Sequence, residues 1–265
     1  DLVRSRGLGD VYKRQTDYRP LMGGIATLTE EVARRLSEKC ELLMLSSLLT
    51  GSKKFDRNNP YKTIRVLNIW ILREILFVLF TAFLVIFRGY KKIYCLVWFP
   101  CGLICYLLSR FISFEYYCAG FGTDYIDDTK TFKRRIKYWL AGYKIKTFNN
   151  AKKVLTCSPY SKDMLIEMGV TAQNIEVVAP GVDTDQFTPK DAPVEFIEKY
   201  KMAGRRILLT VARLELYKGQ DTIIKLMPDL LKKYPDLFYY MVGDSEDRGY
   251  LEKLVPEARV GIAHG

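Results

Sequence analysis

The sequence predicts an α/β chain built as two Rossmann-like units, the second of them incomplete. Three observations carry this. Short apolar runs of strand length alternate with amphipathic helical stretches, the rhythm of parallel strands joined by helical crossovers. A polar segment rich in Asp, Thr and Pro, VDTDQFTPKDAP, interrupts that rhythm, and a fresh strand, RRILLTVARL, starts behind it. The 265 residues also exceed the roughly 150 of an average domain. The expected organisation is a first unit over residues 16–185, a crossover over 186–205 and the start of a second unit over 206–265.

Taken in order, DLVRSRGLGDVYKRQ shows neither a strand nor a helix period, so residues 1–15 are expected to be non-native. They resemble a cloning or assembly scar, because no apolar core of a signal peptide follows the basic residues. TLTEEVARRL places Leu28, Val32 and Leu36 on one helical face, and this helix starts from Met22-Gly23-Gly24. CELLMLSSL reads as a short buried strand and GSKKFDRNNP as a loop. IWILREILFVLFTAFLVIF reads as a buried or interfacial helix rather than a transmembrane or re-entrant segment, the lesser reading, since its uninterrupted apolar part, Ile75 to Phe87, is shorter than the roughly 20 residues that span a bilayer.

KIYCLVWF and FEYYCAGF read as buried parallel strands separated by the helical CGLICYLLSRF. KTFKRRIKYWLAGYKIK is a basic amphipathic helix with Phe132, Ile136, Trp139 and Tyr143 in one stripe, suited either to aromatic packing or to anionic lipid headgroups. The strand AKKVLTCS, the helix YSKDMLIEMG and the strand NIEVVAPG continue the pattern. Beyond the crossover, RRILLTVARL, DTIIKLMPDLLKKY and LFYYMVGD read as strand, helix and strand, so about two strands of the second unit are expected. The closing VPEARVGIAHG resembles a stretch of a helicase-type repair translocase.

Composition narrows the function. With 49% apolar residues, 13% aromatics, 10 prolines and 18 glycines, a disordered chain is excluded. The six cysteines form no CxxC pair and the single histidine is His264, which excludes a zinc finger, a thioredoxin-like centre and a His-dependent triad within these residues. Buried, reduced thiols of a cytoplasmic protein are expected. Lys and Arg number 41 against 30 Asp and Glu, a net +11 that calls for a negative partner: nucleic acid, an acidic membrane face or a phosphorylated small molecule. No basic repeat or RNA-binding aromatic signature is present, so nucleic acid is not expected.

Three motifs carry chemistry. In LMGGIATLTEEV, Gly23 and Gly24 precede a helix, where bare backbone N–H groups and the positive helix end suit an anion, although taken alone the pair reads more readily as a plain tight turn. The second motif joins a serine helix start at CSPYSKD to the bend Pro180-Gly181. The third, VARLELYKG, sets Arg213 after a strand and Lys218 five residues on, just before a helix. A guanidinium fork and an ammonium point charge at the carboxyl edge of a parallel sheet suit a diphosphate.

On these residues, from about Tyr18 to about Leu254, the chain resembles the family-4 retaining glycosyltransferases of the GT-B fold. That resemblance implies transfer of a sugar from a UDP- or GDP-linked donor to a hydroxyl acceptor, with no metal or other cofactor. It implies that Arg213 and Lys218 neutralise the donor diphosphate, that Gly23, Gly24, Gly243 and Asp244 approach the donor, and that Asp124 lies on the acceptor side. Phe121 stands where the family often has histidine, and the two family glutamates of the donor site are expected beyond residue 265. The acceptor stays open among a lipid-linked sugar, a polysaccharide and a small polyol, at a cytoplasmic location that is peripheral on the inner, anionic membrane face. Two other readings stay open: another nucleotide-sugar enzyme such as an epimerase, and a non-catalytic membrane-associated scaffold.

Overall fold

The computed structural model describes residues 7–11, 20, 23–121, 134–244, 247–255 and 260–263; for 7–11, 70 and 134–141 it describes the backbone alone. The chain divides into two compact units, residues 1–182 and 183–265.

The first unit is a seven-stranded parallel sheet in the order β3-β2-β1-β4-β5-β6-β7. The strands are β1 (Gly7–Val11), β2 (Leu42–Ser47), β3 (Lys62–Val66), β4 (Lys92–Cys95), β5 (Glu115–Ala119), β6 (Lys153–Thr156) and β7 (Ile175–Val177). The connecting helices are α1 (Gly24–Ser37), α2 (Ser52–Asp56), α3 (Trp70–Arg88), α4 (Leu103–Ser109), α5 (Arg134–Asn150) and α6 (Pro159–Glu167). Every residue of β2 is buried, as a strand covered on both faces requires. Leu45, Phe77, Ile93, Cys95, Tyr116, Cys118, Phe148 and Val154 meet in its main core. Among the described residues the cysteines form no disulfide; Cys95, Cys101, Cys105 and Cys118 are buried, whereas Cys40 and Cys157 are half-buried.

Several sequence expectations change here. Residues 1–15 were expected to hold no element, yet the backbone of Gly7–Val11 pairs in parallel with both β2 and β4. The stretch expected to be a loop contains α2, and the following KTIRV forms the edge strand β3. Its polar alternation hides it, because Arg65 is buried there by a two-pronged pairing with Asp56 at 2.7 and 3.0 Å. The stripe of Leu28, Val32 and Leu36 does not close a core: Ala26, Thr29 and Ala33 form the buried face of α1, and the stripe lines an open groove of about 530 Å³. Of the aromatic stripe, Phe132 lies outside the described residues and Ile136 and Trp139 lie outside the described side chains, while Tyr143 of α5 packs edge-on against Tyr106.

The second unit contains α7 (Val194–Lys199), β8 (Arg206–Val211), α8 (Gln220–Lys233), β9 (Leu237–Val242), α9 (Arg248–Leu254) and β10 (Val260–Ala263). Its parallel sheet has the order β10-β9-β8, so it holds a third strand beyond the two expected. Leu214, Ile224, Met227, Tyr239, Met241 and Leu251 form its core. As an edge strand, β8 leaves Leu209 and Val211 exposed.

Candidate active site

The sequence-derived cations fall at the carboxyl end of β8. The strand stops at Val211, and the chain then crosses from the sheet to α8 through a short 3-10 turn, Leu216–Lys218. Leu214 anchors this crossing by full burial, while Arg213, Tyr217 and Lys218 face solvent. Gly219 ends the turn and caps α8 with φ +76°, a left-handed conformation that glycine adopts without a Cβ penalty.

Arg213 donates from Nη1 to Glu215 Oε1 at 2.8 Å and from Nη2 to the Tyr217 hydroxyl at 2.9 Å. The Lys218 ammonium sits over the Tyr217 ring, 4.7 Å from its centre. Tyr217 therefore holds both cations, one through its oxygen and one through its π face. The Arg213 side chain is 65% exposed, and with five N–H donors on the guanidinium it retains donors for an incoming anion. Beneath it, the buried Gln220 donates from Nε2 to the Arg213 carbonyl at 2.9 Å, tying the crossing to the first turn of α8.

The neighbouring strand end completes the site. Gly243 follows β9 with φ +152°, and a Cβ there would overlap the Ala212 carbonyl oxygen. Only glycine lets the two strand ends approach so closely. Asp244, exposed, places Oδ1 4.0 Å from Arg248 Nη1. Asp247 Oδ2 accepts from the Leu216 backbone N–H at 3.1 Å, linking the loop after β9 to the turn carrying Lys218. Arg213, Lys218, Gly243 and Asp244 thus share one sheet edge. A flexible polyanion bound there would meet two cations and the amino end of a 14-residue helix, with the carboxylates of Glu215, Asp244 and Asp247 flanking them.

The remaining sequence candidates belong to the first unit. Gly23 caps α1, its carbonyl accepting from the Thr27 N–H at 2.9 Å, and Gly24 opens the helix with free space where a Cβ would stand. Pro180 and Gly181 line the groove beside α1 together with Phe121, Tyr94 and Tyr117. Phe121 also packs against the cluster of Met44 and Leu96, so an apolar side chain has a packing role at that position. Asp124 and His264 lie outside the described residues. Among the described residues, no three His, Cys, Asp or Glu are placed to hold a metal ion.

Sequence reasoning missed Tyr217, Gln220 and Asp247. Tyr217 was the most accessible of them, since an aromatic lying directly before Lys218 in VARLELYKG is a ready partner for both cations.

Residues 118–186 match the model of Glycosyltransferase Family 4, and residues 194–264 match that of Glycosyl transferases group 1. A GDP-mannose-dependent alpha-(1-6)-phosphatidylinositol monomannoside mannosyltransferase of Mycolicibacterium smegmatis is 34% identical over 107 residues, which are 40% of this chain and 27% of that relative. A D-inositol 3-phosphate glycosyltransferase of Corynebacterium aurimucosum is 27% identical over 86 residues, 31% of this chain and 20% of that protein. The matched stretches thus span about a quarter of the curated relatives. Among solved structures, Anabaena HepE in complex with UDP superposes with a TM-score of 0.74 at 16% identity, covering 98% of this chain and 69% of that one. A glycosyltransferase from Rickettsia africae gives 0.73 at 18% identity, covering 99% and 69%. These likenesses establish the GT-B fold.

Proposed function

Because this chain belongs to glycosyltransferase family 4, we propose that it is part of an enzyme moving a hexosyl group, with retention, from a UDP- or GDP-linked sugar to a hydroxyl acceptor. The observation that carries the reading is the pair Arg213 and Lys218, held on Tyr217 at the carboxyl edge of a parallel sheet. In the reaction the anomeric carbon exchanges its bond to the diphosphate for a bond to the acceptor oxygen, releasing nucleoside diphosphate and a proton. Negative charge grows on the departing phosphate as the first bond breaks. Cations already in place stabilise that state more than the ground state, which lowers the barrier. The proposal assigns this neutralisation to the two side chains and requires no metal.

Support for a nucleotide-sugar donor comes from HepE, solved with UDP, and from relatives named as GDP-mannose-dependent. Separate glycosyltransferase models match residues 118–186 and 194–264, which favours transfer over a scaffold or an epimerase. The acceptor we favour is lipid-linked, since the +11 chain suits a peripheral place on the anionic inner membrane face. The test is incubation of the enzyme and a membrane extract with radiolabelled UDP-glucose or GDP-mannose, followed by partition into organic and aqueous phases. Label entering the organic phase only with active enzyme is expected. Label that stays in unreacted donor with both nucleotides would contradict the proposal.

A further inference from the structure

Away from the cations of the second unit, the first unit carries an open cleft of about 880 Å³ between α2, β3 and the last turns of α3. Lys53, Arg57, Lys62 and Arg88 line it, and none of these four forms an ion pair among the described residues. The lining holds five cations against two carboxylates, and one of those carboxylates, Asp56, is already gripped by Arg65. The Thr63 hydroxyl in the same lining is buried with no hydrogen-bond partner among the described residues.

The cleft borders an apolar ridge. Along α3, Ile71, Ile75, Leu79, Phe83 and Phe87 recur every four residues and are 49–73% exposed, while Phe77, Leu84 and Val85 on the opposite face are buried. Such a row occupies one side of a helix. Phe83 belongs to both features, since it also lines the cleft. Among the described residues no helix is long and apolar enough to cross a membrane, so α3 does not serve as a span.

Each occupant makes a different demand on this face. A soluble anion would use the cations and leave the ridge in water. A second copy of this chain would cover ridge with ridge but bring unpaired cations of two +11 chains together. An anionic bilayer satisfies both features at once. We propose that this face docks on an anionic phospholipid surface, the cleft taking a headgroup phosphate while the α3 ridge lies at the boundary of headgroups and acyl chains. The inference rests on the peripheral location proposed above and names the surface responsible for it.

The test is flotation of the whole chain with phosphatidylcholine vesicles, with and without phosphatidylglycerol. Binding is expected only with phosphatidylglycerol, and weaker as salt is raised. Lys53→Ala with Lys62→Ala should weaken it about twenty-five-fold, near fivefold for each charge removed. Leu79→Asp with Phe83→Asp should abolish it, and UDP and GDP titrations should be unchanged in both variants. Anionic-vesicle binding that both variants retain would overturn this surface and leave the peripheral location standing. Absence of vesicle binding would overturn both. A dimer that Leu79→Asp with Phe83→Asp dissociates, or inorganic phosphate binding in the cleft without vesicle binding, would assign the face to another occupant and likewise overturn the proposal.

Discussion

Tyr217 links the two cations on which the proposed chemistry depends, and this makes their substitutions unequal. Lys218→Arg keeps the charge but replaces a compact ammonium with a planar fork on the turn that ends at the left-handed Gly219. Transfer by the complete enzyme should therefore recover only partly, and kcat should fall more than KM rises if the contact strengthens in the transition state. Gly243→Ala acts on the frame around the cations. Positive φ and overlap with the Ala212 carbonyl should together cost roughly 2–5 kcal/mol, measured as a lowered urea midpoint of the second unit. Arg213 and Lys218 were legible in the sequence because charges just after an apolar strand stand out. Gln220 was not, because nothing in KGQD distinguishes a buried latch on the Arg213 carbonyl from a solvated helix start.

At the scale of elements, α6 shows how a local signal fixes a boundary. Ser158 accepts from the Ser161 N–H at 3.1 Å and Pro159 follows at the first helical position. Ser158→Ala should cost about 1 kcal/mol in urea unfolding, with little change in spectroscopic signature. On β5, Tyr116 is 2% exposed and donates to the Thr147 carbonyl at 2.7 Å. Burial raises its phenol well above the ordinary tyrosine value, so the folded state favours the protonated form. The stability this contributes is complete below about pH 10 and is lost as pH rises beyond it, by up to about 1.4 kcal/mol per unit. The deficit of Tyr116→Phe relative to wild type, followed by urea midpoints, should accordingly narrow between about pH 9 and 11. Elements with a strong apolar period, such as β2, β4, β5 and α8, were readable from the sequence. α2, β3 and β1 were not: α2 is five residues long, β3 hides a buried arginine pair, and β1 gains its place from neighbours on both sides.

For the whole molecule, the parallel sheets of both units and the family matches on either side of residue 190 support the proposal that the second unit grips the donor diphosphate. The alternation of strands and helices made the α/β class legible from the start, whereas the open face of α3 did not appear until the packing was known. An apolar run of that kind looks the same in sequence whether its outer half is covered or exposed. The most direct measurement of the central claim is calorimetric titration of UDP and GDP into this chain and into Arg213→Ala at equal folded concentration. The account predicts saturable binding of at least one nucleotide by the wild type, weakened tenfold or more in Arg213→Ala, because one charge-assisted contact to a phosphate oxygen contributes about 1.5–3 kcal/mol. Equal affinities in the two proteins would contradict it, and would leave Arg213 as a surface partner of Glu215 alone.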